Sequence, residues 1–142
     1  DIFARSLELC LITPSSVLLH RQIFDAVGVF DETLPVCEDY DLWLRVTARF
    51  HVGLVHEPLI TKYGGHADQL SRSQFGFDRF RIRALEKLLA TEDITEEQRR
   101  LVVSAIVTKA RIYGNGCRKH GRLEEAENYF QKVTSLSKFI DR

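Results

Sequence analysis

The sequence has little cysteine: Cys10, Cys37 and Cys117 are its three cysteines, they lie far apart, and no Cys-x-x-Cys occurs. An odd number at such spacing argues against a disulfide framework and against a structural zinc site. A reducing compartment fits this pattern better. We therefore expect a cytoplasmic location, with attachment to the inner face of a membrane left open.

Methionine is absent altogether, and the chain begins with Asp1. Because a natural chain begins with Met, we expect a longer parent protein. No apolar run approaches the roughly 20 residues that span a bilayer, and no signal peptide is recognisable. We expect no transmembrane segment in this sequence.

An excess of charge of one sign is also lacking, because Lys plus Arg and Asp plus Glu number 20 each and the net charge is zero. This balance argues against a protein that coats nucleic acid or an acidic membrane. The hydrophobic fraction of 44% is enough for a real core. A length of 142 residues suits one domain, or a small domain with an appendage.

Proline is scarce, and all three prolines precede residue 74, near which the character of the sequence changes. Before that point, short apolar runs are broken by Pro, Gly and Asp. After it, three stretches carry apolar residues at helical spacing. We therefore expect two parts, residues 1–74 and a helical tail at 75–142.

The first part combines two predicted extended segments with helices. The segments at 8–20 and 52–63 are rich in Leu, Val and Ile, and Pro14 disfavours a continuous helix in the first of them. A helix is predicted from Asp39 to about Phe50, because acidic residues crowd its first turn, where the helix dipole favours anions.

Local cap signals predict the ends of several helices. Gly28 stands just past a short helix predicted over residues 21–26. Thr95 and Gln98 have the spacing of a capping box that begins a helix of the tail. The residues at 119–121 indicate a turn before the last helix.

Glu38 and Asp39 are adjacent acids at the start of a helix whose surface is largely apolar. One interpretation is helix capping, which is worth about 1 kcal/mol. The other is a general base, because a carboxylate fixed at a rigid helix end can accept a proton from a sugar hydroxyl. The pair by itself does not decide between them.

Three stretches around this pair resemble family 2 glycosyltransferases of the GT-A type in order and spacing. They are ITPSSVLL at 12–19, FDAVGVFDE at 24–32 and EDYDLWLR at 38–45, and Glu-Pro-Leu and a Gly-Gly-His loop follow them. The resemblance covers about half of the chain. It implies an α/β fold, α+β in this segment, with a partial GT-A sheet and helices in residues 1–74 and an all-α tail after them.

The resemblance also implies roles for residues of the third stretch. Asp39 would be the general base of an inverting transfer from a nucleotide sugar to a hydroxyl acceptor, and Glu38 would orient the acceptor or the base. Asp41 either contacts substrate or pairs with Arg45 four residues later. Trp43 is either a platform on which a sugar stacks or a residue of the core.

The polar loop after the Gly-Gly pair is the second candidate region. The resemblance implies that His66 ligates a divalent metal, Mg or Mn, that neutralises the leaving nucleoside diphosphate. Lys62, Ser71 and Arg72 flank it and are candidates for contact with phosphate. The alternative is an ordinary solvent-exposed loop with no ligand.

The donor-binding half of a GT-A enzyme is an α/β unit that ends in a metal-gripping Asp-x-Asp. Asp39 and Asp41 fit those letters, but they stand where the family has its base, and no βαβ repeat precedes them. We therefore expect a fragment, inactive alone, of a hexosyltransferase-like enzyme of cell-envelope polysaccharide synthesis. Unpaired strand edges would favour a homodimer.

The end of the tail, residues 121–130, resembles the second half of a tetratricopeptide unit. Packing onto the first part and binding a partner are both open for it. The runner-up function is accordingly a helical protein-interaction module on a non-catalytic scaffold. A basic cluster of Arg79, Arg81 and Arg83 spreads around a helix, so a nucleic-acid partner is not expected.

Overall fold

The computed structural model describes residues 1–61, 63, 76–91 and 93–140. Every regular element in them is helical. The elements are α1 (Ile2–Glu8), a 3-10 turn (Pro14–Ser16), α2 (Gln22–Val27), α3 (Glu38–Arg49), α4 (Phe77–Leu89), α5 (Glu96–Lys119) and α6 (Leu123–Ile140).

The predicted partial GT-A sheet is wrong for the residues that the structure describes, and so is the α/β class. The segment predicted at 8–20 is interrupted by the 3-10 turn, and the part of 52–63 that is described has no regular structure. Val17 does have an extended backbone, with φ −117° and ψ 136°. Extended backbone becomes a strand only when a neighbouring strand pairs with it, and neither segment has such a partner among the described residues.

One hydrophobic core joins the two parts of the chain. It contains buried side chains of α1, α3, α4 and α5, among them Phe3, Tyr40, Leu44, Leu85 and Ile106. Helix α3 packs on α1 and α4, and α1 also packs on α5. Helices α4 and α5 of the tail therefore pack on the first part. The role of residues 121–130 and the domain boundary at residue 74 stay predictions.

The opposite side of α3 is covered by residues of α2 and of the irregular segments around it. Leu42, Trp43 and Val46 are buried there. The partly buried side chains that pack against them are Cys10, Ile12, Val17, Leu19, Ile23, Phe24, Val27 and Phe50. Because side chains pack on two sides of α3, this packing holds the first turn of the helix in place.

The cap signals of the sequence are confirmed. Gly28 ends α2 at φ 78° and its N–H donates to the Phe24 carbonyl at 2.8 Å. Both hydrogen bonds of the Thr95–Gln98 capping box are present at the start of α5. Helix α3 begins and ends one residue earlier than predicted. Helix α1 was not predicted, although Asp1 caps it by accepting from the Phe3 N–H at 2.9 Å.

The predicted helical tail is confirmed, and its last two helices form a hairpin. The Tyr113 and Tyr129 rings pack edge to face with centroids 4.7 Å apart. A Cβ added to Gly114 would lie 3.0 Å from the Phe130 ring, so the missing side chain lets the two helices approach closely. The predicted turn before α6 contains Gly121 at φ 75°.

Candidate functional site

Cys37 precedes the acidic pair in a left-handed backbone conformation. Its φ is 66°, a value that non-glycine residues rarely adopt. The side chains of Val36 and Cys37 are buried in the core on either side of this strained peptide. Strain of this kind persists where packing over-determines it, and it is common at functional sites.

Asp39 is half-buried in the first turn of α3, and both of its oxygens accept hydrogen bonds. The Tyr40 N–H donates to Oδ1 at 2.7 Å. The Cys10 thiol donates to Oδ2 at 3.5 Å. The Tyr40 N–H is among the first N–H groups of a helix, which lack an intrahelical acceptor. Asp39 therefore contributes to capping through one oxygen, and its other oxygen faces the segment that follows α1.

Glu38 lies beside Asp39 and is also half-buried. Its carboxylate forms neither a hydrogen bond nor an ion pair with any residue that the structure describes.

Asp41 has the opposite environment, because only 1% of its side chain is exposed. Its Oδ2 lies 2.7 Å from Nη2 of Arg45, so the predicted i, i+4 pair is confirmed. Its Oδ1 lies 2.8 Å from Nζ of Lys87 on α4. The predicted contact between Asp41 and substrate stays a prediction, and it would compete with these two ion pairs.

The ion pairs continue into the loop between α2 and α3. Lys87 also contacts Oδ2 of Asp31 at 2.7 Å. This hydrogen bond, together with those from Thr33, holds the pKa of Asp31 well below its usual range. Arg45 donates to the carbonyls of Val27 and Val29. The second and third stretches of the resemblance are thus tied to each other and to the tail.

Trp43 is only 5% exposed, and neighbouring apolar side chains cover its rings. Its Nε1 is buried and has no hydrogen-bond acceptor among the described residues. This environment is that of a core residue. A sugar-stacking role for Trp43 stays a prediction, and it would require the covering segment to move.

Two side chains anchor the end of α1 beside the site. The Tyr40 hydroxyl donates to the Leu7 carbonyl at 2.7 Å, and Nζ of Lys109 donates to the Glu8 carbonyl at 2.9 Å. Burial raises the pKa of Tyr40 and lowers the pKa of Lys109. Sequence reasoning missed Lys109, because nothing local distinguishes it from a surface lysine of α5.

Lys62, His66, Ser71 and Arg72 lie outside the described residues. In the described part of the chain, no group of three or more His, Cys, Asp or Glu side chains is arranged to hold a metal ion. The bound divalent metal therefore stays a prediction.

Among the helices that the structure describes, none has the length and hydropathy needed to cross a membrane.

Comparison with known proteins relates part of the chain to glycosyltransferases. Over 64 residues, or 44% of the chain, it is 38% identical to an uncharacterized glycosyltransferase of Rickettsia conorii. Over the same length it is 34% identical to an uncharacterized glycosyltransferase of Rickettsia felis. The matched segment is 10% of the length of each relative. No family model and no solved structure matches the chain.

Proposed function

We propose that this chain supplies the base-carrying part of an inverting glycosyltransferase of family 2, with Asp39 as the general base. The observation that carries the proposal is the state of the Asp39 carboxylate, which is half-buried at the start of a firmly packed helix and lies beside a second acid, Glu38. The similarity to two proteins named as glycosyltransferases supports the reaction class.

The proposed reaction uses a carboxylate in a way that suits this geometry. Asp39 accepts the proton of an acceptor hydroxyl while the hydroxyl oxygen attacks the anomeric carbon of a nucleotide sugar. The bond from that carbon to the nucleoside diphosphate breaks, and the configuration inverts. Glu38 binds or orients the acceptor. A positioned general base contributes about 10²- to 10⁴-fold to such a rate.

The donor side is a separate part of the proposal. We place the nucleotide-sugar site in a region of the natural polypeptide beyond these 142 residues. His66, Lys62 and Ser71 are proposed to meet the diphosphate end of the donor. A divalent Mg or Mn ion, when bound, would neutralise the charge of the leaving diphosphate.

Release of nucleoside diphosphate tests the proposal. A panel of UDP-, GDP- and dTDP-sugars would be incubated with the complete natural polypeptide and, separately, with the 142-residue chain. We expect the complete polypeptide to release the diphosphate as it transfers the sugar to water in place of the acceptor hydroxyl, and the chain alone to release none. Turnover by the 142-residue chain would contradict the assignment of the donor site to another region.

A protein-interaction module is the second candidate function, and the outer face of α6 favours it. Polar and charged side chains are exposed along this face, namely Glu127, Gln131, Thr134, Ser135 and Lys138. Under this alternative, Asp39→Asn leaves the activity of the complete polypeptide intact.

The homodimer expected from the sequence stays a prediction, which sedimentation of the purified chain would test.

A further inference from the structure

We propose that Cys10 is a positioning residue that orients the Asp39 carboxylate for proton transfer. The inference rests on the proposed function of Asp39, but it concerns a residue outside the three stretches that resemble family 2 glycosyltransferases. Nothing in the local sequence around Cys10 marks it for such a role.

The position of Cys10 is determined by its neighbours. It lies two residues after the end of α1, and the last two carbonyls of this helix accept hydrogen bonds from other elements. Tyr40 of α3 donates to the Leu7 carbonyl, and Lys109 of α5 donates to the Glu8 carbonyl. Leu9 then turns the chain into an extended conformation, with φ −143° and ψ 145°. These anchors bring the Cys10 side chain to the first turn of α3.

The thiol lies within hydrogen-bonding distance of two acceptors. They are Oδ2 of Asp39 at 3.5 Å and the Ile12 carbonyl at 3.6 Å. A thiol has a single hydrogen, and a hydrogen bond to an ionised acceptor is the stronger of the two. Because the Tyr40 N–H occupies Oδ1, the Cys10 thiol completes the set of contacts that limits rotation of the carboxylate.

The protonation state of Cys10 fits a donor. Burial, followed by the nearby charge of Asp39, raises the pKa of the Cys10 thiol to about 12. The group is therefore a thiol at neutral pH, able to donate but unsuited to act as a nucleophile or a redox centre. In this protonated state Cys10 is able to donate the hydrogen bond to Asp39 that the geometry shows.

Kinetics of the complete natural polypeptide test the positioning role. Cys10→Ala is expected to lower kcat for nucleoside diphosphate release about tenfold, the scale of one lost hydrogen bond to a charged group. KM for the nucleotide sugar should not change, because Cys10 is assigned to the base and not to the donor. Cys10→Ser restores a donor and should recover most of kcat. Cys117→Ala, which removes a buried thiol from the separate cluster between α5 and α6, is the matched control and should retain full kcat.

Infrared spectroscopy tests the hydrogen bond without any substrate. The S–H stretching band that disappears in Cys10→Ala belongs to Cys10. In Asp39→Asn this band should move to higher frequency, because an amide oxygen is a weaker acceptor than a carboxylate. A band that does not move would overturn the proposal.

The outcomes separate this inference from the function on which it rests. If Asp39→Asn abolishes turnover while Cys10→Ala keeps full kcat, the positioning role is wrong and the base stands. If Cys10→Ala lowers kcat but Cys10→Ser does not restore it, Cys10 acts through packing and the proposal also fails. If Asp39→Asn retains full turnover, the proposed function itself is wrong.

Discussion

Nζ of Lys87 lies 2.8 Å from Oδ1 of Asp41, so a lysine of the helical tail neutralises the buried acid of α3. The two residues are 46 positions apart. The contact explains how α4 supports α3: it supplies apolar packing and also the countercharge for a carboxylate that solvent does not reach. The tail is thus a structural component of the candidate site.

Removal of the Asp41 charge should destabilise the fold. We expect Asp41→Asn to lower the free energy of unfolding by about 2 kcal/mol, because Arg45 loses its carboxylate partner and Lys87 keeps Asp31 alone. Urea denaturation measures this effect as a lower midpoint. Asp93→Asn is the matched control, since Asp93 is 57% exposed in its pair with Arg49. A surface pair of this kind contributes at most about 1 kcal/mol. Equal effects of the two variants would contradict the structural role of Asp41.

The Asp31–Lys87 contact should make stability depend on pH in the acid range. The pKa of Asp31 is lower in the folded state than in the unfolded state. The stability that its ionised carboxylate contributes is therefore fully present above the unfolded pKa of about 3.9. The contribution is lost as the pH falls below about 4, toward the lower pKa of the folded state. Compared with Asp31→Asn, the wild-type chain should therefore lose its stability advantage over this range. Thermal unfolding at a series of pH values measures it, and a constant difference between the two proteins would contradict the assignment.

Two glycines of α5 should respond differently to alanine. A Cβ at Gly116 meets nothing within 4 Å, so Gly116→Ala should stabilise the helix by about 1 kcal/mol through its higher helix propensity. A Cβ at Gly114 meets the Phe130 ring at 3.0 Å, so Gly114→Ala should gain clearly less or lose stability. Urea midpoints of both variants measure the difference. Equal stabilisation would show that α5 and α6 do not approach as closely as described.

Local signals in the sequence predicted local structure well. Gly28, Thr95 and Gln98 act on backbone groups within four residues, and each lies where its pattern indicated. The Asp41–Arg45 pair is also local, because helical geometry alone brings residues four apart together.

Features that depend on distant partners were not predictable in this way. The segments at 8–20 and 52–63 have the composition of strands, but a strand requires a hydrogen-bonded neighbour that local composition does not reveal. Lys87 and Lys109 look like ordinary surface lysines until the packing of α4 and α5 brings them to α3 and α1. Cys10 likewise acquires its contact with Asp39 from tertiary packing.

The most direct test of the central claim is the turnover of Asp39→Asn in the complete natural polypeptide. The substitution keeps the size of the side chain and removes the proton acceptor. We expect kcat for nucleoside diphosphate release to fall by about 10²- to 10⁴-fold, while the affinity for the nucleotide sugar and the urea midpoint stay near those of the wild type. An Asp39→Asn variant that keeps the wild-type kcat would contradict the assignment of Asp39 as the base.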